Sequence, residues 1–172
     1  MSFTVHEGHR DTDRPTGGVH VPAGAGVTTW FNGDIYGVRL TAEQTGGVIG
    51  VIEATVPPGG GPAPHVHAAT DETFYLVGGE LEFLDGDRVF IARTGDVVHI
   101  PRGTVHRFVN PGIQPAKLLF VYTPGGAEGL FVEGGDEPLP GVQVQPWGPE
   151  RIDDRMLGLL GKYDTGLPPV DR

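Results

Sequence analysis

Four metal-capable side chains on two remote stretches constrain this chain more than anything else in it. His65 and His67 stand two residues apart, Glu72 follows five residues on, and His106 comes 34 residues after Glu72. Alternate residues of an extended strand share a face, so His65 and His67 point the same way, about 6.5 Å apart at ~3.3 Å rise per residue. Imidazoles leaning across that gap reach a common ion at ~2.0–2.1 Å. A four-residue connection lets Glu72 return on a neighbouring strand at the same depth. His106 joins them only where the sheet curls over on itself, as in a barrel. A lone strand histidine is ordinarily hydrogen-bonded or solvated; the argument for a site rests on the whole set, in a chain with 7 histidines among 172 residues.

The rest of the chain suits such a barrel. Its 29 glycines and 16 prolines fall between apolar runs, where they mark turns. Strand-like runs are predicted over 27–31, 34–40, 48–56, 72–77, 80–84, 88–92, 97–100, 105–109 and 117–122, with His65-Val66-His67 as a further short piece. Asn32-Gly33 and Asp85-Gly86 are hairpin turns. The pattern is all-β, a sandwich or barrel. Residues 1–22 are polar and aperiodic and read as an arm; 23–135 form the barrel; 136–172 form a C-terminal extension whose end, 166–172, reads as loose. Ala127, Leu130 and Phe131 suggest one short helix. Ile152, Met156, Leu159 and Leu160 recur at i, i+4, i+7 and i+8, which predicts another at about 150–161 after Pro149.

Composition excludes several classes. A formal net charge of -10, from 12 basic and 22 acidic residues, disfavours a nucleic-acid backbone or an anionic membrane as partner. Cysteine is absent, so neither disulfides nor thiolate chemistry enter. The N-terminal stretch has no apolar signal core and no window reaches about 18 apolar residues, so a cytoplasmic protein is expected.

Around the four residues lie fixed glycines and prolines. Gly59-x5-His65-Val66-His67-x4-Glu72-x6-Gly79 is followed, fifteen residues later, by Gly95-x5-Pro101-x-Gly103-x2-His106-x3-Asn110. These two blocks resemble the paired motifs of the cupin superfamily at every fixed position. The resemblance implies a double-stranded β-helix (jelly-roll) barrel, ligation of one divalent metal by His65, His67, Glu72 and His106, and commonly a homodimer. The outer apolar residues Val66, Val105 and Val109 are candidates for the dimer contact. Pro58-Gly59-Gly60-Gly61-Pro62, Asp71-Glu72-Thr73-Phe74-Tyr75 and Thr123-Pro124-Gly125-Gly126 are similar to single-domain quercetin 2,3-dioxygenase-like cupins. The aromatic-rich helix that often follows the last segment there is matched in part by Ala127-Glu128-Gly129-Leu130-Phe131.

Four protein ligands leave one or two positions open on the ion, the mark of a catalytic site. Three imidazoles and one carboxylate suit Fe, Ni, Mn, Co, Cu or Zn, and the sequence does not choose among them. Glu72 is either a plain fourth ligand or also the catalytic base that takes a proton from an enol or phenol. Strand parity puts Phe74 and Leu76 on the face of Glu72, Phe108 on that of His106, and Phe120 with Tyr122 on one face. These five are candidate walls for a planar organic substrate, or simply barrel core. Tyr75 and Tyr122 are candidate hydrogen-bond donors. His6, His9 and His20 read as solvated, and His99 as an outer-surface residue. The expected activity is a quercetinase-like dioxygenase reaction of O2 with a flavonol or related enolic phenol. The alternatives are a non-redox cyclase, isomerase or lyase on an enolisable carbonyl, and a small-molecule-binding cupin without turnover.

Overall fold

Asn32 (φ 49°) and Gly33 (φ 92°) both adopt left-handed backbone, and this two-residue turn starts the sheet by joining β1 (Val27–Phe31) to β2 (Asp34–Leu40). Such a turn matches the twist of the strands it joins. The computed structural model describes residues 17–168; most of the expected arm, with His6 and His9, and the last four residues lie outside the described residues. The chain continues through β3 (Gly50–Val56), β4 (Asp71–Gly78), β5 (Glu80–Asp85), β6 (Arg88–Arg93), β7 (Val97–Ile100), β8 (His106–Val109) and β9 (Ala116–Thr123). Every expected strand is present. The run predicted over 48–56 begins only at Gly50, because a short helical turn, α1 (Ala42–Thr45), precedes it. The Thr41 side chain accepts from the Gln44 N–H and the Gln44 side chain accepts in return from the Thr41 N–H, a capping box the sequence analysis did not use.

One sheet has the order β1-β2-β3-β9-β4-β7 and the other β6-β5-β8, with neighbouring strands antiparallel. An isolated bridge between His65 and His106 extends the smaller sheet past β8. The two sheets form the jelly-roll barrel. Inward positions alternate along each strand, as Ile52, Ala54 and Val56 do on β3. Between the sheets the Phe74 ring meets Phe83 edge-on at 5.2 Å and Phe108 at 5.8 Å. Gly79 turns β4 into β5 at φ 81°, where a Cβ would stand 3.0 Å from the Ala116 Cα. Only glycine fits both the dihedral and the space.

The C-terminal extension folds back over this barrel. After α2 (Gly129–Gly134), Asp136 exchanges both backbone hydrogen bonds with Trp30, at 2.9 and 2.8 Å. Its carboxylate accepts from Trp147 Nε1 at 2.9 Å and from Arg151 at 2.6 Å. The helix expected at 150–161 is divided: a 3-10 turn at Pro149–Arg151, then α3 (Asp154–Lys162), capped by Asp153 accepting from Met156 N at 2.8 Å. Lys162 and the Tyr163 hydroxyl reach Glu133 at the end of α2. Gly166, expected to begin a loose end, instead bridges Val66 through two backbone hydrogen bonds of 3.0 and 2.8 Å. Val66 is half-buried, with the chain's own tail paired against its backbone. No helix among the described residues is long and apolar enough to cross a membrane.

Asn110, the last residue of the second motif, bonds to backbone and to none of the four candidate ligands. Its amide donates to Val56 O and Gln114 O, both at 2.8 Å, and its oxygen accepts from Gly112 N at 2.9 Å. It closes the turn after β8 and ties it to the end of β3. Asn110→Ala leaves buried partners unsatisfied, and the expected cost is about 2–4 kcal/mol. Urea unfolding measures that loss, and the metal content of the folded variant stays unchanged.

Candidate metal centre

The two motifs are locked together by backbone before any side chain meets. His65 and His106 exchange hydrogen bonds, N to O, at 3.0 and 2.9 Å. The His67 carbonyl accepts from Gly103 N at 2.7 Å, and Gly103 offers that N–H from a left-handed turn at φ 81°. The carboxylate of Asp71 holds Arg102 three ways, accepting from its backbone N (2.9 Å), Nε (2.9 Å) and Nη2 (2.8 Å). The turn that delivers His106 is thereby fixed to the strand that carries Glu72. On that strand Glu72 lies between Ile100 of β7 and Tyr122 of β9.

The four side chains that spacing put forward do converge: one ligand atom from each of His65, His67, Glu72 and His106 lies within 4.8 Å of all the others. Glu72 Oε2 is 2.9 Å from His106 Nε2 and 3.5 Å from His67 Nε2. In each ring Nδ1 faces a carbonyl oxygen: Ala63 at 3.0 Å for His65, Thr104 at 2.9 Å for His106, Asp164 at 2.7 Å for His67. A carbonyl only accepts, so Nδ1 donates and Nε2 is left turned to the centre. The Nε2 of His67 is buried with no partner.

Burial opposes the charge on Glu72, but the hydrogen bonds and charges of His106 and His67 outweigh it and hold the carboxyl down at about 2. Burial, then the neighbouring His106, pushes His65 down to about 4. Burial also disfavours the charge on His67, yet the Glu72 carboxylate beside it leaves its value raised. Three imidazole nitrogens, one ionised oxygen and an orphaned buried Nε2 fit a divalent transition ion.

A cavity of about 240 Å³ opens from this centre. Of the expected substrate contacts, Phe108, Phe120 and Tyr122 stand on its wall. Phe74 and Leu76 do not: they share the face of Glu72, but β4 carries them away from the centre into the packed core, 1% and 0% exposed. The Tyr122 hydroxyl is pushed well above its ordinary value, first by burial and then by the charge of Glu72. Tyr75 points outward, 47% exposed. His99 is exposed and bonds Thr73 Oγ1 at 2.8 Å on the outer surface, and His20 is exposed.

A second buried carboxylate on the cavity wall was not anticipated from the sequence. Asp34 lines the cavity, buried, with Oδ2 accepting from the Tyr36 hydroxyl at 3.0 Å and Oδ1 without a partner. At Gly60, a Cβ would stand 2.4 Å from Oδ1. Asp34 had read only as the start of a strand; the signal was its parity with Tyr36 and Val38, which places it on the inward face. The tail was missed too, because nothing local to Thr165 or Leu167 marks them as cavity wall.

Burial pushes Asp34 up to about 7, against the Tyr36 hydroxyl and the Gly61 N–H, which lower it. The folded state keeps a proton that the unfolded chain releases near 3.8, so stability falls as pH rises from that value towards 7. Asp34→Asn removes this decline. Thermal or urea unfolding is expected to show the variant gaining on the wild type between pH 4 and pH 8, by on the order of 2 kcal/mol. The ligand assignment has its own check. Protein with His65→Ala and His67→Ala together is expected to lose its metal on elemental analysis, and unchanged content contradicts the assignment.

Residues 52–122 match the Cupin domain family. The chain is 30% identical over 103 residues to the tetracenomycin polyketide synthase protein TcmJ of Streptomyces glaucescens, covering 59% of this chain and 67% of that protein. It is 28% identical over 157 residues to quercetin 2,3-dioxygenase of Bacillus subtilis, across 89% of this chain but 45% of the relative's length. Among solved structures, a "predicted oxalate decarboxylase" from Thermotoga maritima matches with a TM-score of 0.58 at 20% identity, over 62% of this chain and 99% of that one, a likeness of fold alone. The motif match, the convergent donor set and these relatives agree that the chain belongs to the cupin family.

Proposed function

We propose that this cupin is a metal-dependent dioxygenase of the quercetinase-like type, acting on a flavonol or a related enolic phenol. One observation carries the reading: the four convergent ligand atoms sit at the end of a cavity walled by aromatic rings. When bound, a divalent transition ion would supply Lewis acidity toward the oxygens of an enolic ketone and, if redox-active, a route for electrons to O2.

The chain's own residues do the rest. Glu72 faces the cavity and is the carboxylate placed to accept the enol proton. Phe108, Phe120 and Phe131 offer flat apolar contact to a planar ring system. Trp147 and the tail residue Leu167 add further apolar wall to the cavity. Asp34 and Tyr36 give the wall a polar pair suited to a ring hydroxyl. The likeness to quercetin 2,3-dioxygenase extends over 89% of this chain and supports the substrate class.

The similarity to a polyketide synthase protein across 67% of its length favours a second reading, non-redox chemistry on an enolisable polyketide-type carbonyl. Oxygen separates the two. Protein loaded in turn with Fe, Ni, Mn, Co, Cu or Zn is expected to bleach the quercetin absorbance in air with at least one redox-active ion and not under argon. No bleaching with any ion removes the flavonol reading; turnover of a polyketide-type substrate without oxygen, and with Zn, establishes the second. Glu72→Gln is expected to fold, to bind metal more weakly and to lose turnover by at least about 100-fold.

A further inference from the structure

The three imidazoles are not held alike. His65 and His106 each donate Nδ1–H to a carbonyl two residues earlier in their own segment, Ala63 and Thr104. His67 donates instead to Asp164, 97 residues away, at 2.7 Å. The Asp164 carboxylate also spans the loop directly after His67, accepting from Ala68 N at 3.0 Å with Oδ1 and from Ala69 N at 2.8 Å with Oδ2. One residue of the tail thus holds the ring of His67 and both following amides.

The tail is itself firmly placed. Asp164 follows α3 in left-handed backbone, φ 56°, which turns the chain back across the cavity. A non-glycine residue in that conformation persists where surrounding bonds over-determine it. Here they do: Thr165 N donates to Leu160 O at 2.8 Å, Met156 of α3 is buried, and Gly166 bridges Val66. Thr165, Gly166 and Leu167 then line the cavity.

We propose that Asp164 is a positioning residue through which the C-terminal segment sets the metal affinity of the centre. Its carbonyl keeps the proton of His67 on Nδ1 and the Nε2 lone pair aimed inward; its carboxylate freezes the loop that carries the ring. The inference rests on His67 being a metal ligand. Groups that orient a ligating histidine in this way typically change metal affinity 10- to 100-fold when lost.

Two variants test it. Asp164→Gly adopts φ 56° freely and removes only the carboxylate. Asp164→Asn is isosteric and keeps one acceptor oxygen. Co(II) affinity, by competition with a chelating dye, is expected to fall at least about 10-fold in the glycine variant and by less in the asparagine variant. The visible Co(II) absorption is expected to shift in the same order, a signature that a purely structural contact would not move. A variant that loses thermal stability but keeps the wild-type affinity within twofold, with an unaltered spectrum, overturns the proposal. Should the glycine variant fail to fold, the asparagine variant decides by the same criterion. Wild-type protein that takes up no Co(II) overturns the reading of the centre and this inference together; tight wild-type binding matched by both variants overturns this inference alone.

Discussion

Glu72 places an ionised carboxylate inside an aromatic barrel and surrounds it with imidazoles rather than with lysine or arginine. Burying a charge in such a place is costly unless it is matched, and its recorded ion pairs are with His106 and His67. Much of the surrounding architecture keeps that match in register. The antiparallel bridge of His65 to His106 sets the depth of two rings, the Gly103 N–H sets the His67 backbone, and the Asp71–Arg102 clamp joins the two stretches. Loss of any one tie would leave the carboxylate facing rings at the wrong distance. An arrangement this demanding is understandable where a cation completes it.

The cavity has a second buried acid, and the contrast is instructive. Asp34 and Glu72 both lie on inward strand positions and both line the same space. Glu72 is held ionised by its histidines, whereas Asp34, with only a phenol and an amide beside it, retains its proton to about 7. One barrel thereby presents a charged group and a neutral polar group to the same aromatic-lined cavity. Environment, not residue type, divides the roles.

How much of this was written locally follows from what each residue answers to. The strands, their turns and the four convergent ligands were legible, because alternation, Asn-Gly signals and fixed glycines act over a few residues. Phe108, Phe120 and Tyr122 were legible by parity; Phe74 and Leu76 shared the same parity yet fell into the core, since parity gives a face but no depth. Asp34 was overlooked because an acid after a turn ordinarily faces water. The tail was illegible for a plainer reason: Asp164 is bonded to residues nearly a hundred positions away, and no short-range pattern encodes that.

The threading of Gly166 against Val66 bears on how such a protein diversifies. The stretch that matches the family ends at residue 122, and all four ligands fall within it. Part of the wall that a bound molecule would touch comes from beyond residue 160. The donor set and this part of the cavity wall thus lie on separate lengths of chain. Rewriting the terminal segment around a retained Asp164 would re-cut the chamber without touching a donor residue or the carbonyl that holds the His67 ring.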